Sequence, residues 1–194
     1  MTKIIGLTGG IGSGKTTIAN HFKVAGIPVY IADDEARKIM QSEKIIEEIK
    51  KKFGTAIFEN DILNREKLAQ IVFNDPEKLK LLNAIIHPAV KKHFKNWILN
   101  HKNSPFIIYE AAILFESGSY KDCDKIITVT ALLESRIQRV IKRDNTTRDQ
   151  ILKRIDAQWN DDKRLAKSDF VIENNTPEIA KFEVDKILKI LNIQ

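Results

Sequence analysis

Gly9-Gly10-Ile11-Gly12-Ser13-Gly14-Lys15-Thr16 has the spacing G-x-x-x-x-G-K-S/T, and five of the chain's eight glycines fall between Gly6 and Gly14. Such a run suits the binding of a polyphosphate. Consecutive backbone N–H groups must turn inward onto the anion, which requires positive φ values and a close backbone approach that a Cβ would obstruct. A helix starting near Gly14 adds free N–H groups and the positive end of its dipole. Lys15 is then placed to reach the β- and γ-phosphates, and the Thr16 hydroxyl to coordinate the Mg2+ that accompanies ATP. The expected ATP contacts in this run are Gly10, Ile11, Gly12, Ser13, Gly14, Lys15, Thr16 and Thr17. The rival dinucleotide pattern G-x-G-x-x-G fails, because its third position falls on Lys15 or on Thr17.

Three other sets of residues have the chemistry that phosphoryl transfer needs. Asp33 follows an apolar run and can accept the hydrogen bond of an attacking hydroxyl, align it, and take its proton late. The simpler role for Asp33 or Asp34 is to cap the following helix. Glu110 ends another apolar run and is a candidate anchor, through water, for Mg2+; a surface carboxylate would look the same in sequence. Arg139, Arg143 and Arg148 have the spacing of a cationic lid that neutralises transferred charge and excludes water, or of an exposed basic helix.

The elements that must position these groups are legible in outline. Lys3 to Thr8, Pro28 to Ala32, Phe106 to Tyr109, Lys125 to Thr130 and Phe170 to Ile172 read as buried strands. Helical patterns separate them, as Ile18, Ala19, Phe22 and Ala25 do on one helix face before Gly26. Alternation of this kind implies right-handed crossovers and a five-stranded parallel sheet, an α/β three-layer fold with its ligand beyond the carboxyl ends of the strands. Asp33, Glu110, Thr130 and Asn174 sit at those ends. Between residues 64 and 101 no strand appears: Asn64 can cap one helix, Asp75-Pro76 opens a second, and Pro88 can start a third. The chain is expected to be one P-loop domain over residues 1–194, with a helical acceptor-binding insertion at about 60–102 and a lid at about 139–164. Thr147 and Gln150 form a capping box for a lid helix carrying Arg154, Gln158 and Trp159.

Composition narrows the class. The 194 residues carry a formal charge of +6, with 43% hydrophobic and 30% charged residues and one cysteine, Cys123. That excludes an intramolecular disulfide framework and fits a reducing compartment. No secretory leader or long apolar span is evident, so a cytoplasmic protein without a membrane partner is expected. The histidines lack metal-ligand spacing. Between Arg136 and Lys167 ten basic residues face five acidic ones. This run suits a solvated helix, a polyphosphate clamp or a nucleic-acid face. The Asn-Lys-x-Asp and Asp-x-x-Gly signatures of GTPases are missing. The size favours a small-molecule kinase, with a nucleic-acid-dependent ATPase as the alternative from another class.

At this point the sequence resembles one family, the dephospho-coenzyme A kinases. The opening IGLTGGIGSGKTTIANHF looks like that family's start, and Gly26 to Asp33 with Ala36-Arg37 resembles its G-x-x-V-x-D-A-D-x-x-A-R. Leu82-Asn83 with His87-Pro88, then Glu110 to Glu116, continue the likeness, followed by Arg139, Arg143-Asp144, Arg148, Arg154, Gln158, Lys163 and Asn174-Asn175. The resemblance implies transfer of the ATP γ-phosphate to the 3′-hydroxyl of dephospho-coenzyme A, with no nucleic-acid partner. A monomer or weak homo-oligomer goes with that expectation. It implies Asp33 as the base, Arg139 and Arg143 as lid residues, Arg37, His87 and Leu114 at the acceptor, and Asn175 beside the adenine. Other small-molecule or nucleotide kinases differ from this reading only in their acceptor. Three positions depart from the pattern: Ile31 stands for an aspartate, Ala112 for a proline, and Thr176 for the glycine after Asn-Asn. Thr176 lacks glycine's tolerance for positive φ, which implies weaker adenine binding.

Overall fold

A computed structural model describes residues 2–193. The chain forms two compact units, Met1–Ile31 with His101–Gln194, and Ala32–Asn100. The first contains β1 (Lys3–Thr8), α1 (Lys15–Val24), β2 (Val29–Ile31), β5 (Phe106–Glu110), β6 (Lys125–Thr130), α6 (Leu133–Asp144), α7 (Arg148–Asp156), α8 (Asp161–Leu165), β7 (Phe170–Glu173) and α9 (Pro177–Ile193). The second contains α2 (Ala32–Ile39), α3 (Glu43–Phe53), β3 (Phe58–Glu59), β4 (Ile62–Leu63), α4 (Arg65–Phe73) and α5 (Pro76–Leu99).

The five expected strands form one parallel sheet in the order β2-β5-β1-β6-β7. Because β1 lies between β5 and β6, chain order reverses direction at its carboxyl end, where an α/β sheet opens a crevice. Ile5, Leu7, Phe106, Ile108, Ile127 and Val129 of the central strands are buried with Ile18, Ala19 and Phe22 of α1 and Ala180, Val184, Ile187 and Leu191 of α9. Burial of this apolar surface at about 25 cal/mol per Å2 anchors the strand ends that carry the site. A smaller cluster of Ile137, Val140 and Ile151 joins α6 to α7, and Ile11 packs its side chain against it.

In the second unit the structure departs from the sequence reading in three ways. Pro88 does not open a helix: it lies inside α5, one helix of 24 residues. Proline removes one helical hydrogen bond, but buried Ile85, Ile86, Val90 and Phe94 supply an apolar face on both sides of it. The unit begins at Ala32, earlier than about residue 60, because α2 and α3 follow β2 directly and no sheet strand intervenes before β5. A two-stranded hairpin, β3 against β4, was not expected; Asn60 (φ 49°) and Asp61 (φ 63°) supply the two left-handed residues of its turn. The caps at Asn64 and Asp75 are as read: both side chains accept N–H groups of the first helical turn.

Candidate active site

The glycine-rich run joins β1 to α1, with Gly14 (φ 90°) as the residue before the helix. Gly12 (φ 76°) also takes the left-handed conformation, and a Cβ there would stand 2.5 Å from the Arg136 carbonyl oxygen. A Cβ on Gly14 would collide with the Asn174 side-chain amide. Glycine is thus required by both conformation and contact.

Every carbonyl of the loop is bonded by the protein. Gly9 accepts from Lys15 Nζ at 2.9 Å, and Gly10 from the Ser13 N–H at 3.2 Å. Ile11 accepts from Arg136 Nε at 2.9 Å, Gly12 from Arg139 Nη1 at 3.4 Å, and Ser13 from Asn174 Nδ2 at 2.8 Å. Gly14 accepts from the N–H groups of Thr17 and Ile18. Among the described residues the N–H groups of Gly10, Gly12 and Gly14 have no hydrogen-bond partner in return. The Ile11, Gly12 and Ser13 carbonyls are held from α6 and Asn174, the others from within the run and α1, and N–H groups left without partners in such a glycine run are what an anion nest offers. The hydroxyls of Thr8 and Ser13 are buried without a hydrogen-bond partner among the described residues.

Ile11, expected among the ATP contacts, is used differently. Its N–H donates to Gln158 Oε1 at 3.0 Å and its carbonyl is held by Arg136, so both backbone polar groups of Ile11 are bonded within the protein. Thr17 likewise spends its N–H on Gly14. Thr16 is exposed in the first turn of α1.

Arg136 was visible in the sequence only as one member of a basic run. It is 5% exposed and donates through Nη1 to Asp161 at 2.8 Å. Burial lowers its pKa from the ordinary guanidinium value, with Asp161 opposing the shift and Arg164 adding to it. Asp161 also accepts from the Thr130 hydroxyl and from Arg164, a residue 1% exposed. The spacing of Arg136 and Arg139, three apart on α6, is the sequence signal that both reach one side of the loop.

The remaining lid arginines are paired with carboxylates. Arg143 and Arg154 both bond Asp144, holding that carboxyl well below its usual range. Arg148 makes a two-pronged contact with Glu134 on α6. The Thr147 and Gln150 capping box is present. Gln158 and Trp159 lie beyond the end of α7, not on it, because Ala157 caps the helix. Trp159 stacks on Phe115 with centroids 5.4 Å apart, a packing role.

Glu110 is 5% exposed at the carboxyl end of β5, paired in register with Leu7 and Ile31, and so is no surface carboxylate. Leu114, expected at the acceptor, is fully buried, with Cδ2 close to Gly6, so its side chain belongs to the core. Asn175 accepts the Leu132 N–H at 3.2 Å. Thr176 is not in a positive-φ conformation; its hydroxyl accepts the Ile179 N–H and caps α9. The reason for expecting weaker adenine binding there is removed.

In the second unit, Asp33 is exposed in the first turn of α2, two residues after Ile31, and its side chain has no hydrogen bond or ion pair among the described residues. The capping alternative has no bond to support it. Arg37 pairs with Asp34 at 2.8 Å. His87 is exposed on α5, and neighbouring protein lowers its pKa below the ordinary imidazole value.

Comparison with known proteins decides the family. A family model described as dephospho-CoA kinase matches residues 3–179. The chain belongs to the dephospho-CoA kinase family. It is an ATP-dependent kinase of the last step of coenzyme A biosynthesis on a P-loop α/β fold. The dephospho-CoA kinase of Fusobacterium nucleatum is 42% identical over 174 residues, covering 89% of this chain and 90% of that protein. A Thermus thermophilus crystal structure superposes with a TM-score of 0.90 at 33% identity, covering 97% of each chain. The Campylobacter jejuni dephospho-CoA kinase structure gives a TM-score of 0.71 at 26% identity, covering 97% and 96%. This family relationship accounts for the likeness running through both units.

Proposed function

We propose that the chain moves the ATP γ-phosphoryl group onto the ribose 3′-hydroxyl of dephospho-coenzyme A, using the glycine loop, Asp33 and the arginines of α6. The observation that supports the loop's part is that each of its carbonyls has a donor within the protein while the Gly10, Gly12 and Gly14 N–H groups have no partner among the described residues. In this reading Asp33 orients the 3′-hydroxyl and takes its proton as the new P–O bond forms and the bond to the ADP oxygen breaks. Its exposure, lack of a partner and place just after β2 support that role. Lys15, released from Gly9, follows the charge of the transferred group, and Arg139 and Arg143 neutralise it. Arg37 and His87 contact the acceptor, and Asn175 lies beside the adenine.

Mg2+ fits the residues present: the Thr16 hydroxyl and the Glu110 carboxylate are oxygen donors of the kind a hard cation takes, Thr16 directly and Glu110 through water. The ion supplies charge neutralisation on the phosphate oxygens when bound. Among the described residues no group of three His, Cys, Asp or Glu side chains is close enough to hold a metal by itself, so this donor set suits an ion carried in with ATP.

A nucleic-acid-dependent ATPase draws little support, because Arg136, Arg139, Arg143, Arg148, Arg154 and Arg164 of the basic run are all bonded within the protein. Among the described residues no helix is long and apolar enough to cross a membrane. We place the enzyme in the cytoplasm, where ATP is supplied, as a monomer or weak homo-oligomer. Mass-spectrometric product detection with Mg-ATP and dephospho-coenzyme A, each common nucleoside monophosphate, or shikimate tests the assignment. Coenzyme A from the first mixture alone supports it; phosphorylation of another acceptor instead contradicts the substrate.

A further inference from the structure

We propose that Gln158 is a positioning residue which, with Arg136, holds the two peptide units that meet at Ile11 of the phosphate loop in the orientation that ATP requires. The inference rests on the reading of that loop as the ATP site. Ile11 is held at three points: its N–H by Gln158 Oε1 at 3.0 Å, its carbonyl by Arg136 Nε at 2.9 Å, and its side chain by the α6–α7 apolar cluster. Both clamping residues are themselves fixed. Arg136 is anchored to Asp161, which also bonds buried Arg164. Gln158 adjoins Trp159, whose N–H donates to Glu116 at 3.0 Å and whose ring stacks on Phe115. The Gln158 acceptor therefore stands on an ordered segment before any ligand arrives.

The physical need for such a clamp comes from the neighbours of Ile11. Gly10 and Gly12 flank it, and glycine leaves both adjoining peptide units with wide rotational freedom. Rotation of the Ile11–Gly12 unit would turn the Ile11 carbonyl oxygen toward the triphosphate and the Gly12 N–H away from it. Rotation of the Gly10–Ile11 unit breaks the Gln158 bond together with the bond from the Ser13 N–H to the Gly10 carbonyl, and rotation of the Ile11–Gly12 unit breaks the Arg136 bond. The clamp acts on ATP capture; after capture the triphosphate itself holds the N–H groups inward, so turnover is affected much less.

The test uses Gln158→Met, which keeps length and volume but lacks a strong acceptor, with Gln158→Ala beside it. With dephospho-coenzyme A saturating, KM for ATP is expected to rise about 2- to 12-fold, the range for one hydrogen bond, while kcat stays within about 2-fold. Amide hydrogen exchange in the ligand-free protein gives a second readout: Ile11 is expected to exchange more slowly than Gly10 and Gly12 in the wild type and to lose that protection in Gln158→Met. Fast Ile11 exchange in the wild type, which needs no variant to fold, overturns the clamp. An unchanged KM in a folded Gln158→Met enzyme that still turns over ATP overturns it too, and leaves the loop's ATP role standing. Failure of the wild-type protein to bind ATP overturns that role and the clamp together.

Discussion

Arg139 donates from Nη2 to the Asn174 carbonyl at 2.7 Å, while the Asn174 side chain donates to the Ser13 carbonyl at 2.8 Å, so α6 and the end of β7 brace the phosphate loop jointly. Arg139 also reaches the Gly12 and Ser13 carbonyls through Nη1 at 3.4 Å. A lysine has no planar fork with which to make these contacts together. Arg139→Lys is expected to lower kcat/KM for ATP by about 10- to 100-fold, the worth of a charge-assisted hydrogen bond. Asn174→Ala leaves the Ser13 carbonyl without its best donor, and the double variant should lose less than the product of the two single effects. Steady-state kinetics on the three variants checks both statements.

Gly14→Ala puts a Cβ against the Asn174 amide at a residue whose φ is 90°. The strain alone costs about 1 to 3 kcal/mol, and relief requires the loop to move. A lower melting temperature together with weakened ATP binding is the expected pair of results. Gly26→Ala is the informative control, since its φ of 83° carries strain but nothing lies within 4 Å of its Cβ position. It should lose stability and keep its affinity for ATP.

Asp33→Asn retains size and hydrogen bonding but cannot take a proton. Turnover is expected to fall by about 100- to 10,000-fold, the span for a positioned acid or base, with ATP affinity measured by calorimetry nearly unchanged. Wild-type turnover in this variant would remove Asp33 from the mechanism.

Cys123 lies beside Gly6, and burial, helped by the charges of Asp122 and Asp124, pushes its thiol pKa up to about 12. Only about one molecule in 10,000 then carries the thiolate at pH 8, and the thiolate is the reactive form. Alkylation of the native protein at pH 8 should be at least about 100-fold slower than in denaturant, where the thiol returns to its ordinary pKa. Rapid labelling of the native state would contradict the half-buried placement of this thiol.

Much of this was legible from residue order. The five parallel strands and the Asn64, Asp75 and Thr147 caps follow from apolar runs and from side chains that satisfy helix-end N–H groups. Pro88 misled because a local rule for helix starts was outweighed by an apolar face continuing from Ile85 to Phe94. The Phe58–Leu63 hairpin is too short for periodicity to reveal, although Asn60-Asp61 is a turn pair. Lys15, Gly12 and Gly14 announce themselves by motif, whereas Arg136 and Gln158, which bond the loop from outside, and Asp161, which anchors Arg136, lie more than a hundred positions away. The three-residue spacing of Arg136 and Arg139 hints at a shared face, but no local spacing encodes the contact to Gln158. Resemblance alone places Leu114 at the acceptor, and its side chain packs into the core.

The most direct measurement is a 15N–1H correlation spectrum of the protein recorded with and without Mg-ATP. The account predicts that the amide signals of Gly10, Gly12 and Gly14 move far more than any others in the loop as their N–H groups take phosphate oxygens, while that of Ile11, bonded to Gln158 throughout, moves little. Large shifts at Ile11 with the three glycines unmoved would contradict it.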